Sequence, residues 1–229
     1  MEYLRLPRGR VTLACILAVS LLLAFFPRID LAISGLFYRH AMHFTTPAWS
    51  LLLQKALSLF LVVSMLGVVA VHLYQRRLGR NPGTVSGRKV LYLFVILILG
   101  PGLVVNFAFK DHFGRARPRE VAEFGGSRQF TPAFVISHEC RRNCSFTSGD
   151  AAAAFFSLAL ARAFSPRRVV LAAAIGFGAM VSLSRIAVGA HFFSDTVISF
   201  FVMWILTDVL HHYLLSAPAV PVSRAMPIA

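Results

Sequence analysis

Long apolar stretches set the first limit on this chain. Val11–Phe26, Trp49–Tyr74, Val90–Phe109, Asp150–Phe164, Val169–Ala190 and Thr196–Leu215 run one after another, separated by short polar turns and one long loop. A helix needs roughly 20 mostly apolar residues to cross a bilayer core, and several of these runs reach that length. They are continuous rather than alternating, which argues against a β-barrel. Hydrophobic residues make up 57% of the 229, more than a soluble domain needs. The expected fold is therefore all-α: one polytopic domain over residues 1–229, with six transmembrane helices.

The connections refine that picture. Arg5, Arg8 and Arg10 precede the first run, which reads as a retained span with a cytoplasmic start, because no small-x-small cleavage site precedes Phe26-Pro27. Residues 30–38 are too short and interrupted to span and suit an interfacial segment. His40 and His43 read as solvated, and Lys55 as a snorkelling lysine. Gly100-Pro101-Gly102 is expected to kink the third span. Asn81-Pro82-Gly83 marks a turn, and the tail from Ser216 reads as poorly ordered. Asp208, His211 and His212 fall toward the cytoplasmic end of the sixth span and need no role there.

The formal net charge is +14. In a soluble chain that would suggest nucleic acid. Here the arginines crowd the short turns, where topology and anionic lipid account for them, so membrane lipids rather than nucleic acid are the expected partners. The loop 110–148 stands apart. Three crossings from a cytoplasmic start place it outside, yet it carries Lys110, Arg115, Arg117, Arg119, Arg128, Arg141 and Arg142. Basic residues on that side run against the positive-inside tendency and suggest an anion held at the membrane face. Cys140 and Cys144 in this loop have no convincing second pair for zinc, so a disulfide is the expected state in an oxidising compartment.

The same topology brings the ends of spans three to six to one face. Lys110 and Arg117 stand at the mouth of one helix. Ser148, Gly149 and Asp150 open the next, where free backbone N–H groups favour an anion. Arg185, His191 and Asp195 lie between the last two. Convergent cations with an oriented histidine suit phosphoryl chemistry. With helical spacing from His191 to Asp195, the carboxylate could accept the imidazole Nδ1–H and leave Nε2 free.

The pattern Lys110-x6-Arg117-Pro118, then Ser148-Gly149, then Ser184-Arg185-x5-His191-x3-Asp195 resembles the type 2 phosphatidic acid phosphatase (PAP2) superfamily. The resemblance implies a helical membrane bundle and a lipid phosphatase without metal or other cofactor. It implies that His191 attacks phosphorus and forms a phosphohistidine, that Asp195 orients it, and that Lys110, Arg117 and Arg185 bind the phosphoryl oxygens. Ser148 and the Gly149 N–H would complete the cradle. One position departs: the family's Ser-Gly-His reads Ser-Gly-Asp here, at Asp150. A free aspartate is ionised at neutral pH, so three options stand. Asp150 donates a proton only with substrate bound, His112 or His138 donates instead, or the leaving group needs little protonation.

Within the superfamily, residues 110–118 and 140–150 resemble the lipid A phosphatase branch, the 4′-phosphatases in particular. That implies lipid A as substrate, met at the periplasmic face of a bacterial inner membrane. Undecaprenyl diphosphate, phosphatidylglycerol phosphate, a phosphotransferase reaction onto lipid A and a non-catalytic lipid binder are the alternatives. Arg119, Arg128, Arg141 and Arg142 could hold a second phosphate of a bis-phosphorylated glycolipid or contact headgroups.

Overall fold

The computed structural model describes residues 7–39, 43–45, 48–79, 84–110 and 112–216. Arg5, His40, Arg80, the 81–83 turn and the tail beyond Ser216 lie outside the described residues, as do the side chains of Arg8 and His43. The described chain is helical except for the long loop and a short hairpin, β1 (Tyr38–Arg39) paired antiparallel with β2 (His43–Phe44). The helices are α1 (Pro7–Phe25), α2 (Arg28–Gly35), α3 (Ala48–Arg77), α4 (Gly87–Lys110), α5 (Gly149–Phe164), α6 (Arg168–Ala187) and α7 (Phe193–His211, continuing to Ser216).

Among the described residues four helices, α3, α4, α6 and α7, are long and apolar enough to cross a membrane, and the bent pair α1–α2 brings the number to five if it is counted as one span. The expected six are not confirmed, because α5 is shorter than those four. It has 16 residues, about 24 Å at 1.5 Å per residue, against a core of about 30 Å. This helix is enclosed by α3, α4, α6 and α7, so its length is not set by contact with lipid. Its alanines are what allow the enclosure: Ala151, Ala152, Ala154 and Ala159 are fully buried and let neighbouring backbones approach. At Gly178 of α6 the ring of Phe155 lies where a β-carbon would be, 2.1 Å from that position. The contrast with α3 is large, because only 11% of its apolar window is buried inside the protein.

Pro101 does not break α4. Proline lacks an N–H and its ring clashes with the carbonyl four residues back. The coil answers by widening into a π-helix over Ile98–Lys110, and the Asn106 side-chain amide donates to the Pro101 carbonyl at 2.7 Å. The helix therefore continues and carries Lys110 to its end.

The segment expected at the interface has a further role. After Pro27 the chain turns by 80°, and α2 packs against α7. Asp30 and Ser34 are buried at 1% and 0% exposure, far from the solvated state that an interfacial helix gives its polar residues. The aromatic side chains that follow pack on the loop: Tyr38 and Phe44 meet Phe124 at 5.3 and 5.2 Å between ring centroids. At the opposite end of the bundle, Asp208 forms an ion pair with Arg162 and so joins α7 to α5. Arg162 also lies 4.8 Å over Trp204.

The α5–α6 contact can be tested directly. Gly178→Ala forces the Phe155 ring to move and should destabilise the protein by about 1–3 kcal/mol, as overpacking does. Gly176→Ala, where nothing lies within 4 Å, should be neutral or gain up to about 1 kcal/mol of helix propensity. Thermal unfolding of both variants in detergent separates the two outcomes.

Candidate active site

One end of the bundle gathers the starts of α3, α5 and α7 and the ends of α4 and α6. Lys110, Arg117, Arg119, Asp150, Arg185 and His191 line one cavity there, of about 480 Å³, together with Ser50, Gln54 and Asn143. Asp150 is the only carboxylate among the described residues lining it, so the cavity is strongly cationic.

The turn after α6 sets Arg185 beside His191. Gly189 ends the helix at φ +63°, a conformation that side chains disfavour, and a β-carbon there would also strike the Phe44 ring. The chain then folds back so that the Arg185 carbonyl accepts from the N–H groups of Ala190 at 3.0 Å and His191 at 3.3 Å. The Arg185 guanidinium, 6% exposed, donates to the Ser50 carbonyl at 3.4 Å and faces the Asp150 carboxylate at 3.3 Å. Gln54 of α3 donates to the same Asp150 oxygen at 3.3 Å.

His191 is buried, with Nδ1 2.7 Å from the backbone carbonyl oxygen of Ser145. A carbonyl can only accept, so Nδ1 carries the proton and the Nε2 lone pair is left for the cavity. Here the geometry differs from the sequence expectation. α7 begins at Phe193 rather than at His191, so His191 and Asp195 do not stack as helical neighbours, and the carboxylate stands 3.8 Å from Nδ1. Asp195 instead accepts from the Ser145 hydroxyl and from the Phe192 N–H at 2.8 Å. Ser145 thus stands between the two, its hydroxyl on Asp195 and its carbonyl on His191.

The other carboxylate oxygen of Asp195 is held by Arg115, a residue that the sequence pattern passed over. Arg115 is 1% exposed. It reaches Asp195 at 2.6 Å, Asp30 at 2.8 Å, the Ser194 hydroxyl at 2.9 Å and the Thr131 carbonyl at 2.8 Å. It also lies 4.3 Å over the Phe192 ring. Asp30 closes the set by accepting from the Ser194 N–H at 2.8 Å and its hydroxyl at 2.6 Å. The sequence signal for Arg115 was its place inside the Lys110–Arg117 spacing. Asp30 gave none beyond an acid in an otherwise apolar segment.

The remaining expected residues are distributed as follows. Ser148 is fully buried and caps α5, accepting from the Ala151 N–H at 3.3 Å, and it is not among the residues lining the cavity. A β-carbon at Gly149 would come 2.9 Å from Asn106 Oδ1 and 3.6 Å from Lys110 Nζ, so a side chain there would have to displace the Asn106 amide. His112 and His138 are exposed and line no part of this cavity, whereas Asp150 does. Cys140 and Cys144 are joined as a disulfide. Arg117 directs Nε and one Nη to the Asn143 carbonyl at 3.2 and 2.7 Å. Among the described residues no group of three or more His, Cys, Asp or Glu side chains is arranged to hold a metal ion.

Burial is the main influence on His191 and Arg117, which both face the cavity. It pushes His191 below the ordinary 6.5, with Arg117 and Lys110 acting in the same direction and Asp195 opposing them. It also lowers Arg117, as does the guanidinium of Arg119 beside it. The arrangement can hold a tetrahedral dianion against several fixed cations and present a neutral imidazole nitrogen to its centre.

Residues 89–217 match the family described as the PAP2 superfamily. The chain is 33% identical over 200 residues to the lipid A 4′-phosphatase of Francisella tularensis subsp. novicida, covering 81% of this chain and 86% of that protein. It is 35% identical over 130 residues to the lipid A 4′-phosphatase of Rhizobium leguminosarum, covering 56% and 55%. Among solved structures it resembles the transmembrane PAP2-type phosphatidylglycerolphosphate phosphatase of Bacillus subtilis. The TM-score is 0.56 at 18% identity, over 91% of this chain and 98% of that one, a likeness of fold.

Two outcomes are expected from this geometry. Arg115→Ala leaves Asp30 and Asp195 buried without their cation, and should lower stability by about 3–5 kcal/mol, read as loss of thermal stability in detergent. His191 should be neutral in the free protein at pH 6.5. Its nucleophilic form is the unprotonated one, so that form persists as pH falls through 6.5 and is lost only on passing His191's own, lower pKa. A 15N chemical-shift titration, assigned with His191→Gln, checks this, and an imidazolium at pH 7 would contradict it.

Proposed function

The chain belongs to the PAP2 superfamily, and from that premise we propose that it is a membrane lipid phosphatase that removes the 4′-phosphate of lipid A. Its active site faces the periplasm of a bacterial inner membrane. The observation that carries the chemistry is the Nδ1–H of His191 fixed on the Ser145 carbonyl, in the wall of a cavity lined by Lys110, Arg117 and Arg185. The substrate assignment is supported by the lipid A 4′-phosphatases that the chain resembles.

In this reading the three cations and the Gly149 N–H hold the phosphoryl oxygens, with Ser148 shaping the helix start that presents that N–H. His191 Nε2 attacks phosphorus in line with the sugar oxygen. The P–O ester bond breaks as the P–N bond forms, and the leaving oxygen takes a proton from Asp150. Asp150 suits this because it lines the cavity beside Arg185, next to where the phosphoryl group and its leaving oxygen would lie. Asp195, through Ser145, keeps the imidazole in place and stabilises its positive charge. Water then attacks the phosphohistidine, giving up a proton to Asp150. Inorganic phosphate leaves and His191 is restored. Most of the acceleration comes from placement and fixed charge, as phosphoryl transfer requires.

Purified protein in detergent should release phosphate from lipid A, and mass spectrometry of the product should show loss at the 4′ position. His191→Ala should reduce the rate by at least about a thousand-fold, and Arg185→Ala by about a hundred- to a thousand-fold. Full activity in His191→Ala would exclude the nucleophile. Label passing to a second lipid rather than to free phosphate would make the protein a transferase.

A further inference from the structure

The structure sorts the four arginines of the long loop that had no separate assignment. Arg119 belongs to the wall of the catalytic cavity. Arg128 pairs its backbone with Val121 and lines neither cavity described here. Arg141 and Arg142 open onto a second cavity of about 520 Å³, beside the first, whose wall includes Asn106, Lys110 and Asn143.

Three features make this more than an exposed basic patch. The two cavities share Lys110 and Asn143, so anything bound in the second lies next to the phosphoryl group in the first. Arg141 and Arg142 sit inside the small ring closed by the Cys140–Cys144 disulfide. That ring is fastened to the catalytic cavity because the Asn143 carbonyl accepts both Nε and Nη of Arg117. Finally, the cavity continues from its cations along α4 past Phe107 to Gly102, within the apolar stretch of the helix. Gly102 leaves that path open, since a β-carbon there would meet only the Leu97 carbonyl, at 3.6 Å. A wall that is cationic at one end and apolar at the other fits a charged group carried on a lipid better than a free ion. No carboxylate lines it among the described residues.

We propose that the Arg141–Arg142 ring and Lys110 form a second anion subsite, which takes another phosphoryl group of the same lipid while the scissile one occupies the catalytic cavity. The inference rests on the lipid phosphatase reading and narrows its substrate class to lipids bearing two phosphoryl groups. Lys110 then stands at the border of the two subsites, and the disulfide ring holds Arg141 and Arg142 beside the second.

Binding in the His191→Ala background tests this without depending on turnover. The probes are lipid A with both phosphates and lipid A with the 4′-phosphate alone, each in a neutral detergent. The bis-phosphorylated lipid should bind about ten-fold more tightly, equivalent to about 1.4 kcal/mol. The double substitution Arg141→Gln/Arg142→Gln should erase that preference and leave the mono-phosphorylated lipid within two-fold of its original affinity. Unchanged thermal unfolding would show that the double variant is folded. Equal affinity for the two lipids, or an equal loss on both, overturns the proposal. So does an effect that appears only when phosphatidylglycerol is added, which would assign the arginines to neighbouring headgroups. If the wild-type protein released no phosphate from either lipid, the catalytic reading would fail, while the binding comparison would still decide the subsite.

Discussion

The guanidinium of Arg115, held between the carboxylates of Asp30 and Asp195, is the interaction on which this end of the molecule depends. A buried ion pair is costly to desolvate, and a guanidinium facing two carboxylates compounds the cost. It is tolerated because the polar groups are saturated: Arg115 donates to Thr131, Ser194, Asp195 and Asp30, and both carboxylates accept from hydroxyl and backbone donors as well. Its gain is in uniqueness. One planar cation fixes α2, the long loop and the start of α7 relative to one another, and any one of the three would be displaced without it. The position of His191 follows two contacts later, through Ser145.

Much of the architecture was legible in the sequence, because a bilayer imposes a length and a polarity that leave a strong one-dimensional trace. The runs behind α3, α4, α6 and α7 show it directly. α5 is the harder case. Its residues are apolar because other helices surround it, and hydropathy cannot tell a protein interior from lipid. The π coil at Pro101 left no such trace: the breaking tendency of proline is local, and its relief depends on what lies further along the same helix.

The candidate site divides along the same line. Lys110, Arg117, Arg185 and His191 could be grouped because helix ends alternate between two faces, and counting spans is enough to say which ends meet. Asp30 could not, since nothing near residue 30 specifies a partner 85 positions away. The direct hydrogen-bond acceptor of His191 escaped the sequence for a subtler reason. Helical spacing was applied across a turn that is not helical, and the group that fills the place is a main-chain carbonyl, which every residue possesses and no sequence pattern marks.

α3 contributes Ser50, Leu51 and Gln54 to the catalytic wall, yet it buries little of its own surface within the protein. One side of this helix faces the reacting groups and the opposite side faces acyl chains. The boundary between the cavity and the outward-turned apolar surface of α3 is therefore a single helix wide.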